Sequence, residues 1–321
     1  MKNYKDGHSE HSEESRNPSR NTQDDNKNKE FALIEGIASL LDDGGVTLGV
    51  GDDAALFGET LIAKDIMVEG VHFTKGAPLL NIMRKIVTAN VSDIAAMGGV
   101  AEYALLGIAI PNGYDITAED IVRPFDAYGL KLIGGDTTSS KDSLFLSVTI
   151  IGKKNEYVIE RGGAKPTDLI YISRPVGRVR QGLEEELAGS EVYNHYLVKA
   201  ETELGDLLGK TGIATSCIDI SDGLGRDASH IADKSGVRMI VEADKMPVEK
   251  LIGIEDPVKY AIGSGEEFAL LFTVPFDRRT EFEIMSPKSI QIGRVTEGAS
   301  VMLETDGKLT DISGSGYEHS F

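Results

Sequence analysis

Leu144–Ile151, LFLSVTII, is a continuous run in which only Ser147 is neither apolar nor β-branched. A run of that length and composition is a buried strand, too short for a helix able to cover a core. A polar stretch follows Gly152, and the chain alternates between strand and helix on both sides of it. Upstream, Leu61–Met67 (LIAKDIM) and Tyr103–Ile110 (YALLGIAI) are strands, and Pro78 opens a helix over PLLNIMRKIVTANVSDIAAM. Thr117 with Asp120 three residues later is a capping-box start for a short helix. FALIEGIASLL, from Phe31, has helical spacing. Downstream, strands are expected near Leu169–Ser173, Met239–Glu242 and Phe268–Val274. The pattern predicts an α/β protein of the α+β type with an N-terminal domain over 31–153 and a C-terminal α/β domain over 154–321.

Residues 1–30 stand apart, with 6 basic and 7 acidic residues and only Met1 and Tyr4 as large apolar side chains. They are expected to be a disordered polar tail, because they cannot bury enough surface to offset ordering. The chain of 321 residues carries 33 Lys+Arg against 52 Asp+Glu, a formal charge of −19, and the tail supplies only −1 of it. So acidic a body excludes nucleic acid and anionic membrane as partners, since both require a cationic footprint. Phosphorylated ligands remain possible if divalent cations stand between the two sets of negative charge. A single cysteine, Cys217, excludes an internal disulfide and a multi-cysteine zinc site. With no apolar run near the roughly 20 residues of a membrane span, the expected location is cytoplasmic.

Several acids fall in short glycine-bearing segments read as strand-end turns. These are Gly51-Asp52-Asp53, Gly134-Gly135-Asp136, Asp219-Ile220-Ser221-Asp222-Gly223 and Gly265-Glu266-Glu267. Asp65 lies inside an apolar strand, and Asp93 follows Asn90 by about one helical turn, on the same face. An Asp before Gly commonly forms a turn or a cap, and both that reading and ligation of several Mg²⁺ ions stay open. Three look-alikes fail. Gly205–Thr211 has three residues between its glycines where a P-loop needs four, and it follows a polar stretch. Gly49–Ala54 would place two aspartates against a pyrophosphate, and Asp219–Gly223 lacks the alternating ligands of an EF-hand. Asn90-Val91-Ser92 fits a glycosylation acceptor, with nothing to suggest secretion.

Read together, the segments resemble the thiamine-monophosphate kinases of the aminoimidazole ribonucleotide synthetase superfamily. The strings are GDDAAL (51–56), VEGVHF (68–73), NVSDIAAMGG (90–99), GGDTT (134–138), RGGAKPTD (161–168), DISDGLGRDASHIA (219–232), GEEFALLF (265–272) and GYEHSF (316–321). The resemblance implies ATP-dependent phosphorylation of thiamine monophosphate, with Mg²⁺ held by Asp53, Asp65, Asp93, Asp136, Asp219 and Asp222. It implies ATP contacts from Gly135, Asp136, Arg161 and Ser221, and substrate contacts from His72, Glu266 and Tyr317. It also implies a homodimer in which N-terminal sheets pair.

Two departures stand out. Where the family carries Thr-Thr before the strand aspartate, this chain has Ala63-Lys64, so Lys64 is expected to replace one cation's charge beside Asp65. The helix after Pro111 is several residues short. Two alternatives remain at this point. One is a non-catalytic Mg-nucleotide-binding homologue; the other is a synthetase or hydrogenase-maturation relative, which needs a reactive cysteine that Cys217 is not placed to supply.

Overall fold

The computed structural model describes residues 29–41, 44–248, 250–251 and 253–317. Up to residue 28 the expected tail lies outside the described residues, whereas Lys29 and Glu30 already open a helix, α1 (Lys29–Ala38). That helix belongs to a unit of its own, and residues 42–317 form the second unit. Leu33, Ile34 and Ile37 of α1 are exposed.

The second unit begins with β1 (Ala55–Phe57), β2 (Thr60–Val68), α2 (Leu79–Ala96), β3 (Val100–Ile110), α3 (Ala118–Asp126), β4 (Lys131–Ser139) and β5 (Phe145–Lys153). The five strands form one sheet in the order β1-β2-β5-β3-β4, mixed because only β3 and β4 run parallel. The opening run lies in β5, at the centre, between β2 and β3. Thr117 caps α3 by accepting from the Asp120 N–H at 3.1 Å, and α3 is indeed short, nine residues with Pro124 inside. The chain continues with β6 (Leu169–Ile172), α4 (Arg178–Leu187), α5 (Thr202–Thr211), β7 (Ser216–Asp219), α6 (Leu224–Ser235), β8 (Arg238–Glu242), α7 (Pro257–Ile262), β9 (Leu270–Val274), α8 (Arg279–Met285), β10 (Ile290–Thr296), β11 (Ser300–Thr305) and β12 (Lys308–Asp311). A seven-stranded sheet takes up these strands in the order β12-β11-β8-β10-β6-β9-β7. The expected α/β class with an N-terminal mixed sheet is the observed one.

α2 positions the site. Pro78 sits at its N-cap, and Gly98, at φ 72°, follows its C-cap. A surface helix buries one stripe, but 14 of the 18 residues of α2 are buried, so it packs on two sides. One side lies on β2, β3 and β5; the other meets α5 and β7. Burial of Ile82, Met83, Ile86 and Ile94 contributes about 1.5–3 kcal/mol each. The second contact explains the glycines of the false P-loop. A Cβ on Gly205 would lie 2.4 Å from the Ala95 carbonyl oxygen, and one on Gly209 would lie 1.9 Å from that of Gly98. The pair exists for helix-to-helix approach.

Gly209→Ala would stabilise an unconstrained helix. Here it is expected to destabilise by about 1–3 kcal/mol, the cost of an overpacked contact. A lowered urea midpoint tests the contact; an unchanged or raised midpoint refutes it.

Candidate active site

Strand β7 ends at Asp219, α2 carries Asp93 near its C-terminal end, and the turn before β1 carries Asp53. Three distant segments thus place carboxylate oxygens of Asp53, Asp93 and Asp219 within 4.8 Å of one another. Asp65, on β2, is the acid whose charge acts most strongly on Asp93. Its backbone N–H donates to Asn90 Oδ1 at 3.1 Å, while Asn90 Nδ2 donates to the Ile86 carbonyl at 2.9 Å. Asn90 is fully buried, so it ties β2 to α2 and is no glycosylation acceptor. Arg161 closes the group on one side. Its Nη2 and Nε donate to Asp53 Oδ1 at 2.7 and 3.3 Å, and its backbone N–H donates to Asp52.

The electrostatics are unfavourable as they stand. Two carboxylates about 5 Å apart repel by roughly 3–4 kcal/mol at an effective dielectric near 20, well above what one exposed ion pair returns. Burial pushes Asp219 up to about 8, with the Asp53 charge adding to it. Burial also raises Asp65 to about 6, and Asp52 to about 6 with help from Asp53. Asp93 is driven well above the usual carboxylate range by burial and then by Asp65, Asp219 and Asp53. Asp53 Oδ2 is buried with no hydrogen-bond partner. A hard divalent cation with oxygen ligands suits these residues: it would take the orphaned oxygen and cancel the mutual repulsion.

Asp222 is not in this group. It stands with Asp227 and His230 in a second one. Asp227 Oδ2 accepts the N–H groups of Ser221, Asp222 and Gly223 at 3.1, 3.2 and 3.0 Å, which shapes the loop before α6. That loop collects more of the expected site. Ser221 O accepts the Glu266 N–H at 2.7 Å, and Asp222 O accepts the Tyr317 N–H at 2.8 Å. Glu266 and Phe268 have φ of 58° and 48°, a conformation costly for residues with side chains and often kept at functional sites. Glu267 has a supporting job: it accepts from Gly177 and Val179 at the start of α4. His72 Nδ1 accepts the Val68 N–H at 3.1 Å, which puts the proton of the neutral ring on Nε2.

Two expectations need correction. Gly134-Gly135-Asp136 is not a strand-end turn but part of β4, an edge strand. Asp136 pairs with Gly107, which pairs with Ser147 of β5, and Ser147 pairs with Ile66 of β2. Those positions lie on the exposed face of the sheet, opposite α2, so Asp136 does not join the buried carboxylates within its own chain. Gly135 is required there by close approach, since a Cβ would lie 1.9 Å from the Leu106 carbonyl oxygen. Lys64 also leaves the carboxylates. Strand alternation turns Asp65 inward with Ala63 and Met67 and Lys64 outward, where its Nζ donates to Ser147 Oγ at 2.6 Å. Its ammonium does not sit among the carboxylates, although its charge still acts on Asp65 and opposes the rise that burial causes.

Lys85 and Asp227 are functional neighbours that reading the sequence missed, while Asn90 was placed on the face of Asp93 without its bond to Asp65. The signal for Lys85 was present, a cation between Ile82 and Ile86 on an apolar helix. Asp227 had none, because its partners are backbone groups.

Residues 51–153 match the N-terminal domain of AIR synthase related proteins, and residues 172–305 match the C-terminal domain. Thiamine-monophosphate kinase of Pyrococcus horikoshii is 32% identical over 84% of this chain and 90% of its own. That of Aquifex aeolicus is 30% identical over 89% and 96%. A solved chain, AaThiL complexed with AMPPCP and TMP, superposes with a TM-score of 0.79 at 29% identity, over 94% of this chain and all of its own. The chain belongs to the thiamine-monophosphate kinase family of AIR synthase related proteins.

In metal-free protein the raised carboxyls hold protons that the unfolded chain has released. Their contribution to stability is therefore largest at low pH and is lost as pH rises from about 4 towards about 8. The melting temperature in chelator is expected to fall between about pH 5 and pH 8.5, with saturating Mg²⁺ removing most of the fall. A chelated protein indifferent to pH over that range would contradict the cluster.

Proposed function

We infer that this chain is an ATP-dependent kinase that phosphorylates thiamine monophosphate to thiamine diphosphate. The observation that carries the reading is the buried Asp53–Asp93–Asp219 cluster with its orphaned oxygen, in a chain of this family. The two expected domains, 31–153 and 154–321, would both contribute: Asp53, Asp65, Asp93 and Asp136 from the first, Asp219 and Asp222 from the second.

The acceptor is a phosphate monoester with a second pKa near 6, so at neutral pH its attacking oxygen is largely deprotonated. That oxygen forms a bond to the γ-phosphorus of ATP as the bond from phosphorus to the bridging oxygen breaks. The electron pair leaves with ADP, and no proton moves at the reacting atoms. Several Mg²⁺ ions on Asp53, Asp65, Asp93 and Asp219, with Asp222 of the second group and Asp136 of a second copy, would, when bound, neutralise the approaching anions and favour in-line geometry. Arg161 and Ser221 hold ATP, joined by Gly135 and Asp136 of a second copy; the guanidinium, now forked on Asp53, suits a phosphate as well. His72 donates from Nε2 to the substrate phosphate, Glu266 pairs with the cationic thiazolium, and Tyr317 stacks on the pyrimidine. No separate catalytic acid, base or nucleophile is required. Cys217 is fully buried, with its thiol pushed well up by that burial, which argues against the relatives that use a reactive cysteine.

A homodimer belongs to the same reading. Ile62, Ile66, Tyr103 and Leu105 are 36–45% exposed on the sheet face opposite α2. A second copy on that face would cover them and bring a second Asp136 with it. No helix among the described residues is long and apolar enough to cross a membrane, and the reading places the enzyme in the cytoplasm.

Purified protein with ATP, Mg²⁺ and thiamine monophosphate is expected to yield thiamine diphosphate and ADP in equal amounts. Tight ATP binding without product would mark a non-catalytic homologue instead. Asp93→Asn should bring turnover below detection while the circular dichroism spectrum stays that of the wild type; retained turnover removes Asp93 from the site. Leu105→Glu should halve the mass measured by light scattering. If the wild type is already monomeric, the sheet face is not the interface.

A further inference from the structure

Lys85 is a buried cation, 5% exposed, on the stretch of α2 that carries the fully buried Ile82 and Ile86. A charge in such a place is costly unless its donors are all engaged. They are: Nζ donates to the His72 carbonyl oxygen, forms an ion pair with Glu266 Oε1, and lies 5.6 Å from the centre of the Tyr196 ring. The ring distance is within reach of a cation–π contact. With its donors engaged inside the protein, Lys85 has little left to offer a ligand. What it does is join two loops, 69–74 and 264–268, each of which supplies a residue proposed above to contact thiamine monophosphate.

Among the described residues, Glu266 is otherwise restrained through its main chain, where its N–H donates to Ser221 O and φ is 58°. Its side chain is 29% exposed. An unrestrained glutamate there would sample many rotamers and would have to be ordered by each incoming substrate. The ion pair engages Oε1 and leaves Oε2 for a ligand. We propose that Lys85 is a positioning residue for the substrate, acting through Glu266 to present one carboxylate oxygen to the cationic ring of thiamine monophosphate. The inference rests on the function proposed above and adds to it a residue that does not touch substrate.

Calorimetric titration of the full-length chain, in Mg²⁺, separates this role from a merely structural one. Lys85→Met is expected to weaken thiamine monophosphate binding about tenfold, within the range of coupling between contacting residues. Binding of AMPPCP should change by less than about twofold, since the nucleotide does not meet Glu266. In a Glu266→Gln background, Lys85→Met should cost less than about threefold further, because the group it positions is already gone. If Lys85→Met does not fold, Lys85→Arg keeps the charge but displaces the contact and is read by the same split. Equal weakening of both ligands overturns the proposal, and so do losses that multiply in the double variant. Wild-type protein that binds no thiamine monophosphate would remove the proposed function and this inference together. Wild-type binding with unchanged Lys85→Met binding would remove the inference alone.

Discussion

Repulsion between carboxylates held out of water is the constraint around which this protein is built. Asp53, Asp93 and Asp219 reach one another from a turn, a helix and a strand; Asp53 and Asp219 raise the cost of ionising Asp93, and Asp53 that of ionising Asp219. Nothing local would produce that arrangement. It survives because α2 is gripped on two sides by packing that the carboxylates do not share, and because Arg161 takes one oxygen of Asp53. The polar groups nearby are then holders of geometry: Asn90 pins Asp65 to α2, and Asp227 gathers three backbone N–H groups beneath Ser221 and Asp222. The energy stored in the cluster would be released by a divalent cation, the proposed bridge to a phosphate.

At the substrate end the charges are balanced internally. Lys85 answers Glu266, while Glu186 lies 2.9 Å from His195, a ring pushed down to about 4 by its burial and by Lys85. His195 is therefore neutral at physiological pH, and although its Nε2 lies close to Glu186 Oε2, neither atom makes a hydrogen bond among the described residues. One half of the site has more carboxylates than cations; the other carries Lys85 against Glu266. The division follows the ligands proposed for each, polyanionic phosphates on one side and a fixed-charge heterocycle on the other.

Much of this could be read from residues alone. The strands at 61–67, 103–110 and 144–151 and the helix from Pro78 came from runs and periods that local sequence controls, and Thr117 capped α3 because a cap is a matter of three residues. The aspartate strings were conspicuous because acids beside apolar strand ends are unusual, and they pointed to a cation before any geometry was known. What failed was face and side. Asp136 and Lys64 occupy strings that read as metal site, yet the pleat sends both to the opposite face of the sheet. Glu267 stood among the conspicuous glycine-turn acids and Asp227 was not singled out, yet both accept from backbone groups brought in by folding.

The sequence by itself determined most element types, the acidic character of the site, and the family to which the chain belongs, because these depend on residue type and short-range order. Only the tertiary structure decided which carboxylates meet, which lysine faces a partner, and which sheet face is left bare. Those depend on contacts between segments far apart in the chain: Asp53 with Asp219, Lys85 with Glu266. A side chain's neighbours there are set by how helices and sheets pack, and a period of two or 3.6 residues carries no record of that.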